Sequence, residues 1–204
     1  MKKVLIIVEG PSDRAFVKAF IQDRFGAALD EDSVIVADPK GKDGGWTQLS
    51  GVLEQGQRYA QKDCVLVVFD TDAPSKDRGG YEARRAAIEE MLKKVPATIT
   101  ADVFLFPDNA RDGDLETLLE EIVKHPELLD CWRGYETCVN GKRYHVPSRK
   151  SKIHEYAAAV AGPDVWKDQG YNKSFVNPDV WDFGSEALKP LKDFLVKHLK
   201  EENE

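Results

Sequence analysis

Acidic residues stand at the exits of three short apolar runs. Glu9 directly follows Val4–Val8, Asp70 and Asp72 follow Cys64–Phe69, and Asp108, Asp112, Asp114 and Glu116 come after Val103–Phe106. If these runs are strands of one parallel sheet, their carboxyl ends share an edge of the molecule, and the acids converge there. Carboxylates gathered in this way repel one another and are costly to keep ionised unless a cation neutralises them. Oxygen ligands with no nitrogen or sulfur partners suit Mg²⁺ or Mn²⁺ rather than zinc. Asp13 lies about one helical turn after Glu9 and is placed to face the same ion, with Gly10 allowing the backbone to turn close to the sheet edge.

Other chemistries find less support. Cys64, Cys131 and Cys138 form neither a disulfide framework nor a Cys-x-x-Cys clip, and Cys64 reads as a core thiol. His125, His145, His154 and His198 have no zinc-site spacing and read as surface or satisfied histidines. A net charge of −7 argues against coating nucleic acid by bulk electrostatics, so such a role needs a local basic patch. Lys142, Arg143, Arg149, Lys150 and Lys152, with His145 among them, supply a candidate, whose plainer reading is a solvated loop.

The elements that must position these residues follow from hydrophobic pattern. Val4–Val8 reads as a strand covered on both faces, with a helix after it that Ser12 caps, Phe16, Val17, Phe20, Ile21 and Phe25 line, and Gly26 stops. Further strands are expected at 33–37, 64–69 and 103–106. The residues from Lys40 to Gly45 read as a mobile loop, and helices are expected from Trp46 to about Ala60, from Tyr81 to Lys94 and from Asp114 to Ile122. Alternating strand and helix predicts an α/β fold: a sheet of about four mainly parallel strands with right-handed crossovers. Residues 1–122 form this unit and 123–204 a helical extension packed on it. In the extension, Trp132, Tyr135 and Tyr144 are scattered among turn residues, and helices are expected at about 150–160 and 185–199. Trp166, Phe175, Trp181 and Phe183 are packing candidates, and 201–204 should fray. No apolar run approaches the roughly 20 residues of a membrane span, which points to a cytoplasmic protein.

Glu9-Gly10-Pro11-Ser12-Asp13 after one strand and Asp70-Thr71-Asp72 after another resemble the Toprim domain of topoisomerases, primases and several nucleases. The resemblance covers about the first 120 residues and implies a Toprim-like Rossmannoid fold. The nearest branch is the nuclease domain of the overcoming-lysogenization-defect (OLD) proteins. The carboxyl-terminal part, including Ser151–Tyr156 and Trp181–Phe183, is also similar to a small bacterial family of Toprim-like proteins. Carried over by position, the OLD resemblance implies metal ligands Glu9, Asp13, Asp70, Asp72 and Glu116, one or two Mg²⁺ or Mn²⁺ ions, and Lys152 as a catalytic cation. The chain departs from the superfamily at Pro74, where a further acid often stands, which favours a nuclease-like over a topoisomerase-like arrangement.

The implied function is a divalent-metal-dependent nuclease hydrolysing DNA or RNA. In it Glu9 contributes to the chemistry and Lys142, Arg143, Arg149 and Lys150 hold phosphates. OLD proteins carry an ATPase in the same chain. This sequence has no phosphate-loop motif, so the resemblance suggests a separate ATPase partner in bacterial defence, and a homodimer is a further expectation. A catalytically idle Toprim-like binding or regulatory module is the alternative. A phosphoacceptor domain is disfavoured because Glu9-Gly10-Pro11 lacks paired acids at the first strand exit. Plainer roles also stand: Asp13 and Glu116 as first-turn acids of their helices, and Lys152 as a solvated helix lysine.

Overall fold

A computed structural model of the chain describes residues 2–37, 45–75, 78–162, 164 and 170–199. The protein is α/β, with a four-stranded, all-parallel sheet flanked by helices. The strands are β1 (Val4–Val8), β2 (Val34–Val36), β3 (Cys64–Asp70) and β4 (Thr100–Phe106), in the order β2-β1-β3-β4. The helices are α1 (Pro11–Phe25), α2 (Gly45–Glu54), α3 (Tyr81–Leu92), α4 (Leu115–Glu121), α5 (Pro126–Gly141), α6 (Arg149–Ala161) and α7 (Lys189–Leu199).

Alternation along the buried strands sorts side chains to the two sheet faces. Val4, Ile6, Val8, Cys64, Leu66, Val68, Phe104 and Phe106 join one core with α1, α4 and the carboxyl-terminal segment. Leu5, Ile7, Val65, Val67, Phe69, Val103 and Leu105 join a second core with α2 and α3. The extension is therefore part of the first core: Phe16 of α1 meets Phe175 and Phe183 edge-on at 5.4 and 5.9 Å. It is also stitched to the sheet unit by backbone. Val123 bridges Trp181, Asp182 N–H donates to the Ile122 carbonyl, and Lys2 N–H donates to that of Leu199.

From β1 the chain moves outward to β2, then returns across the sheet to β3 and continues to β4 on the far side. The reversal point is between β1 and β3, and in open parallel sheets the loops diverging there leave a crevice at the carboxyl edge. Glu9 and Asp70 stand at that crevice.

Several expected boundaries shift. The helix cap before α1 is Gly10, not Ser12, while Gly26 ends the helix in a left-handed conformation (φ 63°) as expected. Gly45 is the first residue of α2, not loop, and α2 ends at Glu54, with a separate 3-10 turn at Gly56–Arg58 in place of its last expected turn. Ser185 caps a 3-10 turn at Glu186–Leu188, so α7 starts only at Lys189. The largest difference is α5, 16 residues long where scattered turns were expected; among its residues only Leu129 is fully buried. The expected loop at 40–44, Trp166 and the tail at 201–204 lie outside the described residues. Among the described residues no helix is long and apolar enough to cross a membrane.

Candidate metal centre

Three strand exits build the site. At the first, Glu9 leaves β1, and Asp13, in the first turn of α1, accepts a 2.7 Å hydrogen bond from Gly10 N–H. The capping role and a metal role thus fall on one carboxylate, whose Oδ1 is left for other partners. At the second, Asp70 ends β3 and its Oδ1 accepts from Leu115 N–H at 2.9 Å, the first amide of α4. At the third, Glu116 follows on α4 and is almost wholly buried. Thr71 fixes the second exit against the third: its Oγ1 donates to the Gly113 carbonyl (2.8 Å) and accepts from Gly113 N–H (2.6 Å). Gly113 is required there because a β-carbon would come within 2.9 Å of the Pro107 ring.

The carboxyls feel one another. Burial, above all, pushes the Asp70 carboxyl well above its ordinary range, and Asp13, Glu9, Glu116 and Asp114 push it further. Asp13 is raised to about 7, chiefly by burial, with Glu9 and Glu116 adding to the effect while the Gly10 amide and Lys150 oppose it. Glu9 is also raised, by burial first and then by Asp72, against the pull of Arg84 and of the Asp70 and Gly45 backbone. Its Oε2 is buried without a hydrogen-bond partner. A buried carboxylate oxygen facing other carboxylates is an acceptor set in want of a cation, and its hard oxygen chemistry fits Mg²⁺ or Mn²⁺. Among the described residues no three of these groups already close on one point as a finished ligand set.

Asp72 is differently placed. It adopts a left-handed backbone conformation (φ 58°) that turns its carboxylate to Arg84, whose Nη2 lies 2.8 Å from Oδ2. Arg84, on α3, is 1% exposed and lies under the Trp46 ring, 4.5 Å from its centroid. Sequence reasoning missed this arginine. One signal pointed to it: Arg84 shares a helix face with Ile88, one turn on, and that face is the buried one.

The basic residues are brought only partly to the acids. Lys150 Nζ is 3.8 Å from Glu116 Oε1. Lys152 instead meets Glu120 Oε1 at 3.0 Å, one turn beyond Glu116, so its side chain is engaged outside the carboxylate group. Arg149 is held by Asp114 (3.0 Å), Thr117 (2.7 Å) and Glu120 (3.2 Å). Lys142 and Arg143 are exposed at the end of α5. Asp108 and Asp112 serve their own loops: Asp108 accepts from Ala110 and Arg111 amides, and Asp112 from the Tyr81 amide.

No curated protein and no solved structure matches the chain significantly. Residues 3–200 match the family model of DUF3226, described as a protein of unknown function, and the chain belongs to that family.

Proposed function

We propose that the protein is a divalent-metal-dependent phosphodiesterase acting on DNA or RNA in the cytoplasm. The observation that carries this reading is the buried, unpartnered Glu9 Oε2 at the sheet's reversal point, among carboxyls whose proton affinities are raised together. Glu9, Asp13, Asp70 and Glu116 would hold the ion. When bound, it would supply an activated water and charge stabilisation for a phosphodiester. Glu9 is the residue fitted to move a proton, since burial raises its affinity toward that of a working general base. Lys150, two-thirds exposed beside Glu116, is free to swing onto a substrate phosphate, and Lys142 and Arg143 extend the cationic surface. Arg149 and Lys152 contribute mainly by holding α6 to α4 through Asp114 and Glu120.

One observation favours the catalytically idle module instead: Asp72 already has a buried cation in Arg84. Supercoiled plasmid and single-stranded substrates, incubated with Mg²⁺ or Mn²⁺, separate the two readings when calorimetric metal titrations are run in parallel. Cleavage by wild type, lost in Glu9→Gln and Asp70→Asn, supports the enzyme. Metal binding without cleavage, even with a separate ATPase partner recovered from native extract or with the chain as a homodimer, supports the idle module. Absence of metal binding overturns both.

A further inference from the structure

Arg84 is an unusual group to find inside this protein. It is the largest fully buried side chain, and only Nη2 has a hydrogen-bond partner, the Asp72 carboxylate; Nε and Nη1 are buried without one. Guanidinium groups keep their charge under all ordinary conditions, so this site carries a permanent positive charge. A buried charge is expensive unless its surroundings compensate it. The compensation here is the acidic group itself, for Arg84 also lowers the proton affinity of Glu9.

Its mobility is restricted from two sides. The Trp46 ring covers the guanidinium at 4.5 Å, and Trp46 follows Gly45, whose backbone lies directly against Glu9. The start of α2 thus closes over both the arginine and the first carboxylate. Lys150, by contrast, is a largely exposed cation 3.8 Å from Glu116, which an incoming ion can displace without rearranging the core.

Resting on the metal-site reading above, we infer that Arg84 is a built-in substitute for a second metal ion: it neutralises Asp72, so the site takes one divalent cation, held by Glu9, Asp13, Asp70 and Glu116. Asp72 is then a positioning residue that acts through Arg84, not a ligand. The unpartnered Nε and Nη1 are donors that the metal-free carboxylates leave unused, as expected of a cation whose charge, more than its hydrogen bonds, matters to the site.

The test counts ions. Titration of the full chain with Mn²⁺ alone, followed by calorimetry and by loss of the free-ion electron paramagnetic resonance signal, should give one tightly bound ion per chain. Asp70→Asn should weaken that ion by more than about tenfold, since even outer-shell partners of a metal are worth 10- to 100-fold. Asp72→Asn should change it far less, and Arg84→Gln, where circular dichroism shows it folded, should acquire a second ion. Two ions in wild type would overturn the inference while leaving the metal site intact. So would equal losses in Asp70→Asn and Asp72→Asn, or a single ion in folded Arg84→Gln. No ion in wild type would overturn it together with the reading beneath it. The wild-type count needs no variant to fold.

Discussion

Gly45 lies so close to Glu9 that a β-carbon on it would come within 2.4 Å of Glu9 Cγ and 2.7 Å of the Glu9 carbonyl oxygen. The first turn of α2 can rest on the acidic site only because that residue has no side chain. Two effects oppose each other in Gly45→Ala: alanine is the better helix former by about 1 kcal/mol, but overpacking typically costs about 1–3 kcal/mol. Backbone atoms are among those it would meet, so relief by rotating a side chain is closed and the clash wins. The expected outcome is a lower melting temperature and weaker Mn²⁺ binding. Gly51→Ala, on the same helix with open space around it, should instead raise the melting temperature slightly. Equal shifts in the two variants would show that α2 does not bear on Glu9.

Asp102, on β4, ties the sheet to α7. Lys197 Nζ and His198 Nε2 each lie 3.0 Å from its Oδ2, and the Val103 amide donates to Oδ1. Burial alone would raise this carboxyl, but these hydrogen bonds outweigh it and hold it well below the usual carboxylate range. A depressed folded-state value means stability that is complete above the unfolded value of about 3.9 and is lost as pH falls through the folded one. Acid denaturation followed by circular dichroism should therefore begin at higher pH in Asp102→Asn than in wild type. Coincident acid transitions would show that the contact contributes nothing.

The three thiols should separate by reactivity. Cys64 sits fully buried in β3, and burial, aided by Asp63 and opposed by Lys2, pushes its thiol up to about 11. Cys131 and Cys138 are exposed on α5. Because the thiolate is the reactive form, iodoacetamide at neutral pH should modify Cys131 and Cys138 and spare Cys64 until the chain is unfolded. Rapid labelling of Cys64 in the folded protein, read by peptide mass mapping, would mean that β3 opens far more readily than a central strand should.

The sheet was legible because continuous apolar runs such as Val4–Val8 and Cys64–Phe69 admit few readings other than buried parallel strands, and the strand exits then located Glu9 and Asp70. Helix α5 was not legible for the complementary reason. It rests on the core through Leu129 with little else fully buried, and Gly134 and Thr137 weaken its helical signal, so neither periodicity nor propensity announced it. The roles of basic residues were the hardest to read. Lys150 and Lys152 are two positions apart, which on a helix turns them to different neighbours, and only coordinates distinguish Glu116 from Glu120 as partner. Arg84 lay in an apparently ordinary amphipathic helix. Its burial depends on Asp72 and Trp46, which meet it only in the tertiary fold.

Asp13 makes metal binding and stability depend on pH in opposite ways. Its carboxyl is raised to about 7 in the folded chain from an ordinary 3.8, so between those values the folded state binds a proton that the unfolded state has released. The metal-free protein should therefore lose stability as pH rises from about 4 through about 7, with Asp70, raised well above its ordinary value, extending the trend upward. A divalent ion needs those carboxyls deprotonated, so its affinity should climb over the same window. Thermal melts at pH 5 and pH 8 check both signs at once. Mn²⁺ should raise the melting temperature by a larger increment at pH 8, where the ion takes over the repulsion that protons relieve at pH 5. In Asp13→Asn the metal-free melting temperature should vary less between the two pH values. Equal Mn²⁺ increments at pH 5 and pH 8 in the wild type would mean that the ion binds away from Asp13 and Asp70, and would remove the basis for placing it at the carboxyl ends of β1 and β3.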